Sequence, residues 1–275
     1  MNFPYLIPRL LRRFTPEKLV RALLLRNIVI KSGLETNDPL GATQRYLHVF
    51  SEHGLALKGK RVMVFGYGGR FDIGLGLLKA GAAHIVLCDK YAPADEMHNR
   101  RMFENETEYF VSDQKGFYLR PEWMTLLESD IRDFQVNSES EKMDLIVSNS
   151  VYEHVDDVEG ITHALATLTK AGGTHIHFVD LRDHFFKYPF EMLRFSESTW
   201  RTWLNPSSNH NRYRLWNYRS AFEACFENVE IKILASEEDA FRNLMPYIRP
   251  EFISDSQAEN FASLILIVAS NPKRI

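Results

Sequence analysis

From Lys60 onward, short continuous apolar runs alternate along the chain with longer amphipathic stretches. The runs Arg61–Phe65 and His84–Cys88 are typical of buried strands, whereas residues 72–80 and 157–169 have the spacing of helices. Further strands are predicted at residues 124–128, 144–148, 174–179, 229–235 and 263–269. Short buried strands that alternate with helices indicate a parallel sheet covered by helices on both faces.

The last two predicted strands leave no room for a crossover helix before the end of the chain, so we expect an antiparallel hairpin at one edge. The predicted fold is a doubly wound, mostly parallel, seven-stranded α/β sheet. We assign residues 1–57 to an N-terminal helical extension and residues 58–275 to the sheet domain. A cap insertion at about residues 181–221 follows the fifth strand, and such excursions at strand ends often build a binding site.

The composition is that of an ordinary globular protein. The chain has 275 residues, of which 45% are hydrophobic and 25% charged, and a net charge of −3 that gives no indication of a nucleic acid partner. The two cysteines, Cys88 and Cys225, predict neither a disulfide framework nor a metal site. No apolar run has the length of a membrane span and no signal peptide is recognisable, so we expect a cytoplasmic protein.

The first 31 residues are basic, with a single acid, Glu17. The basic residues are Arg9, Arg12, Arg13, Lys18, Arg21, Arg26 and Lys31. Leucine and isoleucine recur among them at near-helical spacing, and Thr15-Pro16 is typical of a helix start. Two interpretations follow: a helix that packs on the domain or on a second subunit of a homodimer, or a helix at the surface of an anionic membrane.

A glycine-rich turn follows the first strand, with Gly66, Gly68 and Gly69 leading into a helix. Glycine there allows unusual backbone angles and the close approach of a ligand. Asp89 follows the second strand, where a carboxylate can accept hydrogen bonds from ribose hydroxyls. Nicotinamide-dependent dehydrogenases and S-adenosylmethionine (SAM)-dependent methyltransferases share these features, but the dehydrogenase fingerprint has glycine at the position of Phe71.

Four stretches resemble, in order, the motifs of class I SAM-dependent methyltransferases. They are the glycine turn at residues 62–70, the second strand and its acid at 84–89, the turn at 128–133 and the fourth-strand motif at 144–155. The resemblance covers roughly residues 58–180, with a looser continuation to the C-terminus. It implies a Rossmann-like fold, SAM as the cofactor and a methyltransferase activity.

The resemblance also implies which residues bind the cofactor. These are Gly66, Tyr67, Gly68, Gly69, Asp89, Lys90, Asp130, Ile131 and Asn149. Asp89 is expected to hold the ribose, and Asp130 and Ile131 to flank the adenine. The chain departs from the family at Val64, where an acid is common, and at Arg70, where a glycine is common. Asp72 is a candidate replacement for the acid.

Candidate bases follow the fourth and fifth strands, at the sheet edge where ligands bind in open α/β folds. A histidine beside a carboxylate can accept a proton near neutral pH, so His184 with Asp183 is the first choice of catalytic pair and His154 the second. Ubiquinone-pathway O-methyltransferases resemble this region and place metal-binding acids in it. One of those positions is Ser150 here, and we expect no metal.

The cap is rich in aromatic residues and arginines, which favour an acceptor with an anionic group. We expect four of its residues to contact the acceptor: Arg182, Arg212, Tyr213 and Arg214. The cap is similar to methyltransferases associated with bacterial surface-polysaccharide synthesis, which implies O-methylation of a glycan or nucleotide sugar. The alternatives are methylation of a small natural product or quinone precursor, an NAD-dependent oxidoreductase, and a binding protein without chemistry.

Overall fold

A computed structural model of the protein describes residues 3–14, 38–103, 106–113, 116–183, 188–205 and 210–274. Its centre is a seven-stranded sheet in the order β5-β2-β1-β6-β7-β9-β8, and β3 pairs with β4 in a separate hairpin. The strands are β1 (Arg61–Phe65), β2 (His84–Cys88), β3 (Phe110–Asp113), β4 (Gly116–Leu119), β5 (Met124–Leu127), β6 (Met143–Asn149), β7 (Thr169–Asp180), β8 (Phe226–Ser236) and β9 (Ala262–Pro272).

The helices cover both faces of this sheet. They are α1 (Phe3–Arg13), α2 (Pro39–Glu52), α3 (Asp72–Lys79), α4 (Glu96–Phe103), α5 (Val158–Thr167), α6 (Glu197–Thr199), α7 (Leu215–Cys225), α8 (Glu238–Leu244) and α9 (Gln257–Phe261). Short 3-10 turns include Ile131–Asp133, Tyr152–His154 and Glu191–Arg194, and a π-helical turn, Trp200–Leu204, continues α6. No helix among the described residues is long and apolar enough to cross a membrane.

The predicted fold class is confirmed. The strands β5, β2, β1, β6 and β7 pair in parallel, whereas β9 pairs antiparallel with both β7 and β8 and so forms the C-terminal edge hairpin. Burial on both faces explains why the parallel strands have continuous apolar runs. Alternate residues of β1 show this directly, since Val62 and Val64 join the core under α2 and α3, and Met63 joins the core under α5 and α7.

Two local predictions differ from the structure. The strand β7 begins at Thr169 rather than at Thr174, because residues 170–173 lie opposite the single residue Asp144 in its ladder with β6 and Gly172 adopts a φ of +75° there. The hairpin of β3 and β4 was not predicted at all. The predicted helix start at Thr15-Pro16 lies outside the described residues. The helix α2 belongs to the core of the sheet domain, because its buried residues pack with those of β1 and α3.

Candidate functional site

A cavity of about 520 Å³ lies at the carboxyl ends of β1, β2 and β6. The chain order of the strands reverses on the two sides of β1, and ligands of open α/β sheets bind at such a switch point. Nine of the predicted site residues line this cavity: Gly66, Tyr67, Gly68, Asp89, Lys90, Asp130, Ile131, Asn149 and His154. The motif prediction therefore brought together residues from four separate strand ends.

The turn after β1 contains three glycines, and the steric reason for glycine is different at each position. Gly66, Gly68 and Gly69 all have positive φ angles. A Cβ atom at Gly66 would lie 2.2 Å from a methyl carbon of Val151, and one at Gly69 would lie 2.5 Å from the carbonyl oxygen of Pro93. A Cβ at Gly68 would meet no protein atom within 4 Å, so this residue presents bare backbone to the cavity. Gly69 shapes the turn without lining the cavity.

Asp89 is held in place by its own turn. One carboxylate oxygen accepts hydrogen bonds from the backbone N–H groups of Tyr91 and Ala92 at 2.8 and 2.9 Å, and the other accepts from the N–H of Gly68 at 3.1 Å. The carboxylate therefore bridges the end of β2 and the glycine turn after β1. It lines the cavity at the position where a ribose diol is expected.

Asp130 follows β5, the strand next to β2, and is paired with two cations. It accepts hydrogen bonds from the Arg132 guanidinium at 2.6 Å and from the Lys90 ammonium at 2.9 Å. These hydrogen bonds, those of Arg132 above all, hold the pKa of the Asp130 carboxyl well below its usual range. Arg132 also pairs with Asp157 at 2.9 Å, so one guanidinium joins the turn after β5 to the start of α5.

The chain leaves β6 through a strained residue. Ser150 has a φ of +54°, which is unusual for a residue with a side chain, and its N–H donates to the carbonyl oxygen of Phe178 at 2.9 Å. This turn places Asn149 and Ser150 in the cavity wall and lets Val151 fill the space beside Gly66. Strained backbone of this kind is concentrated at functional sites.

His154 closes the 3-10 turn after β6 and is the predicted base that lines the cavity. Its ring packs edge-on against that of His210 in the cap, with centroids 5.8 Å apart. The neighbouring Glu153 is buried and does not line the cavity. Burial and the charge of Glu153 raise the pKa of Tyr218 well above its usual value.

A second cavity of about 550 Å³ lies under the cap and shares Asp156 with the first. Its other lining residues come mainly from the cap: Glu197, Trp200, Arg201, Asn205, His210, Asn211, Arg212, Tyr213, Asn217, Glu251 and Phe252. Three of the charged residues are acids, and the two arginines both pair with Glu197. The cavity wall is therefore polar, without an excess of positive charge.

The arginines predicted to bind the acceptor are used inside the protein. Arg214 is fully buried and donates to the carbonyl oxygens of Asn260 and Ala262 at 3.0 and 2.8 Å. Burial lowers the pKa of its guanidinium to about 10. Arg212 is also buried and donates to the carbonyls of Met192 and Phe195.

The two remaining predicted acceptor contacts lie apart from each other. Arg182 pairs with Asp180 at 2.9 Å and lines neither cavity. Tyr213 lines the second cavity, and its hydroxyl donates to Glu159 at 3.2 Å. Of the four predicted residues, Arg212 and Tyr213 therefore reach the cavity wall.

Asp183 does not lie in the wall of either cavity. It is buried and pairs with the Arg9 guanidinium of α1, and the Tyr5 hydroxyl donates to it at 2.6 Å. The Arg9 guanidinium also lies 4.6 Å from the centre of the Trp200 ring and donates to the carbonyl of Leu204. His184, the predicted partner of Asp183, lies outside the described residues.

The motif analysis missed several cavity residues. Arg132, Asp156 and Asp157 line the first cavity and come from turns rather than from strand ends. Asp157 could have been found, since it is the N-cap of α5 and accepts from the N–H of Gly160 at 2.9 Å. Asp72, the proposed replacement acid, does line the cavity, where it pairs with His98 at 3.0 Å. Among the described residues, no group of three acids, histidines or cysteines has the arrangement of a metal site.

No protein-family model matches the chain, and no curated protein matches it in sequence. The structure does match solved structures. A protein from Galdieria sulphuraria described as a sarcosine dimethylglycine methyltransferase has a TM-score of 0.52 at 14% identity, with 85% of this chain and 86% of that chain covered. Phosphoethanolamine N-methyltransferase 2 of Haemonchus contortus, solved with S-adenosyl-L-methionine, has a TM-score of 0.50 at 12% identity. In that comparison 84% of this chain and 53% of the other are covered. At these identities the likeness concerns the fold, and the protein has the fold of SAM-dependent methyltransferases.

Proposed function

We propose that the protein is a methyltransferase that binds SAM in the first cavity. The observation that carries this proposal is the joint placement of Gly68, Asp89 and Asp130 around one cavity at the switch point of the sheet. SAM needs groups of this kind, since it has an adenine, a ribose diol and an amino acid moiety. The likeness of the fold to solved methyltransferases supports the same conclusion.

The chain's own residues fit each part of the cofactor. Asp89 is fixed by three backbone N–H groups, which leaves about one of the four acceptor sites of its carboxylate for a ribose hydroxyl. Ile131 offers an apolar contact for the adenine, and the backbone at Gly68 has room for a closely approaching ligand. The Asp72 carboxylate suits the ammonium of the amino acid moiety. Bound SAM supplies an activated methyl group on its sulfonium.

We propose that the acceptor enters the second cavity, because the two cavities meet at Asp156. An acceptor that extends from there into the first cavity would reach His154, whose imidazole can accept the proton of a hydroxyl. The pair of His184 and Asp183 stays a prediction. The contacts of Asp183 with Arg9 and Tyr5 support a role in holding α1 against the cap rather than in moving a proton.

The acceptor class that we propose is a hydroxyl-bearing glycan or nucleotide sugar, methylated on oxygen. The cap offers carboxylates, amides and aromatic rings, which are the groups that bind sugars. An anionic group on the acceptor was expected because of the arginines, but Arg212 and Arg214 are used internally. The structure therefore favours recognition through hydroxyls. Methylation of a small natural product or quinone precursor is the second candidate. A cytoplasmic location and a homodimer remain further proposals.

Calorimetric titration with SAM, S-adenosylhomocysteine and NAD tests the cofactor. We expect binding of the first two and none of NAD, and tight binding of NAD without SAM would overturn the proposal. Two glycines provide a matched pair, because Gly68 and Gly54 have φ angles of +67° and +65° and an added Cβ meets nothing at either. Gly68→Ala should weaken SAM binding and Gly54→Ala should not, although both carry the same backbone strain.

The acceptor and base are tested by turnover assays on sugar nucleotides and on neutral oligosaccharides. His154→Gln should reduce kcat by about 10²–10⁴-fold and leave SAM affinity unchanged, since a general base contributes about that much. Full turnover by His154→Gln, with turnover lost in His184→Gln, would instead assign the base to His184.

A further inference from the structure

The helix α1 is an unusual surface helix because its outward face is apolar. Ile7, Leu10, Leu11 and Phe14 are 52%, 38%, 64% and 73% exposed. They are spaced i, i+3, i+4 and i+7, so they form one stripe along the helix. We call these four residues the apolar stripe. A surface helix of a globular protein normally turns such a stripe toward the core.

The inward face of α1 is the polar one. Tyr5 and Arg9 lie one helical turn apart and are both buried, and both contact Asp183 at the start of the cap. Arg9 also packs its guanidinium on the ring of Trp200. A buried ion pair thus fixes the rotation of α1 about its axis and keeps the apolar stripe directed outward. The helix cannot bury the stripe by turning without breaking this pair.

The charge of the surrounding sequence identifies the partner of this stripe. Apart from Arg9, whose charge is paired inside the protein, the first 31 residues contain six basic residues and one acid, whereas the whole chain has a net charge of −3. An exposed apolar stripe within a strongly basic segment is the combination that binds an anionic membrane, since the apolar side chains enter the interface and the cations meet the lipid phosphates. A dimer interface needs an exposed apolar stripe but does not need the surrounding basic residues.

We propose that the apolar stripe of α1 docks the protein on an anionic membrane surface. The helix α1 itself packs on the π-helical turn Trp200–Leu204, which contributes Trp200 to the wall of the second cavity. Membrane docking goes beyond the proposed methyl transfer, because it concerns where the protein works and does not depend on the identity of the cofactor.

Flotation of the full chain with vesicles tests the proposal. We expect the protein to float with phosphatidylglycerol-containing vesicles and not with pure phosphatidylcholine vesicles, and to be released by high salt. The double variant Leu10→Glu/Leu11→Glu should reduce the bound fraction by more than about tenfold, because two apolar side chains no longer enter the interface. The control Leu234→Glu replaces a comparably exposed leucine on the edge strand β8 and should float like the wild type.

Two further measurements decide between outcomes. Calorimetry with SAM should give the same affinity for the wild type and the double variant, so loss of flotation is separated from loss of the cofactor site. The proposal is overturned if the wild type does not float or if the double variant floats equally well. Sedimentation that shows a dimer dissociated by the double variant, without any flotation, would assign the stripe to a second copy of the chain.

Discussion

The first cavity, which we propose binds the cofactor, and the cap contain the same kinds of charged residue but are held together in different ways. Around the first cavity, Asp89 bonds to the backbone two and three residues further on, and Asp130 pairs with Arg132. In the cap, Arg9 pairs with Asp183 across 174 positions of sequence. The first cavity is thus built from turns at neighbouring strand ends, whereas the cap is tied to α1 by a buried pair of very long sequence separation.

This difference indicates which charged residues can contact a ligand and which ones stabilise the fold. Arg132 and Lys90 face the cavity and are partly exposed, so their charges are available to a ligand. Arg9 and Arg214 are buried against rings and carbonyls, so their charges hold segments together. Arginine content alone therefore does not identify an anion-binding surface. Burial decides which role each arginine has.

Loss of the Arg9–Asp183 pair should give the largest effect. Arg9→Met leaves the Asp183 carboxylate buried without its cation, and we expect it to lower the free energy of unfolding by about 3–5 kcal/mol. SAM affinity should change by less than about twofold, because the cofactor cavity does not depend on α1. Urea unfolding and calorimetry measure the two quantities.

The matched control for this prediction is Arg242→Met. Arg242 pairs with Glu238 on an exposed helix face, and its loss should cost at most about 1 kcal/mol. A double-mutant cycle with Asp183→Leu isolates the pair itself. If the loss of unfolding free energy in the double variant equals the sum of the losses in the two single variants, Arg9 and Asp183 do not stabilise each other.

A chain of buried hydrogen bonds between β6 and β7 predicts sensitivity to acid. Ser148 of β6 bonds to His177 at 2.7 Å, His177 contacts His175 at 3.3 Å, and His175 bonds to Thr169 at 2.7 Å. Burial lowers the pKa of His175 to about 3 and that of His177 well below its usual value. Both imidazoles are therefore neutral in the folded protein.

Because the unfolded chain binds protons on these histidines below about pH 6.5 and the folded chain does not, stability is lost as the pH falls from about 6.5 toward 3. Each imidazole contributes about 2 kcal/mol of this loss between pH 6.5 and 5. Urea unfolding at a series of pH values measures the slope. His175→Phe should reduce it, and the exposed His48→Phe should not. Equal slopes for all three proteins would contradict the prediction.

The parts of the fold that were predictable from sequence are those with a local signal. The strands β1 and β2 have the predicted bounds, because an apolar run between polar turns determines a buried strand. The hairpin of β3 and β4 lacks such a run. The early start of β7 was missed because Gly172 resembles the end of a helix, whereas here it allows a bulge within a strand.

In the site, the presence of Asp89 and Asp130 in one cavity wall was predictable because each follows the carboxyl end of a predicted strand. The burial of Arg214 was not predictable, because its partners are the carbonyls of residues Asn260 and Ala262, far along the chain. A sequence pattern records which residues are cationic but not which distant carbonyl oxygens will surround them.

Asp89→Asn tests the local construction of the cofactor cavity. The amide oxygen can accept from the N–H groups of Tyr91 and Ala92, but the amide nitrogen is no acceptor for the Gly68 N–H or for a ribose hydroxyl, and the charge is lost. We expect SAM affinity to fall by about 10–100-fold, with a change in the free energy of unfolding below about 1 kcal/mol. Unchanged affinity in calorimetry would mean that the ribose lies elsewhere, and Asp95→Asn, just outside the cavity, serves as the control.

Arg132→Ala should have the smallest effect and gives the sharpest contrast with Arg9. Both arginines pair with an aspartate, but Arg132 is 43% exposed and Arg9 only 4%. Water can replace the Arg132 guanidinium, and Asp130 keeps its bond to Lys90, so the free energy of unfolding should fall by at most about 1 kcal/mol. SAM affinity should change by less than about fivefold. Because salt screens exposed charges, a higher salt concentration should reduce the difference in SAM affinity between the variant and the wild type. Arg132→Ala would be expected to match Arg9→Met only if burial had no influence on the contribution of an arginine to stability. Equal losses of unfolding free energy in the two variants would therefore contradict the role given to burial.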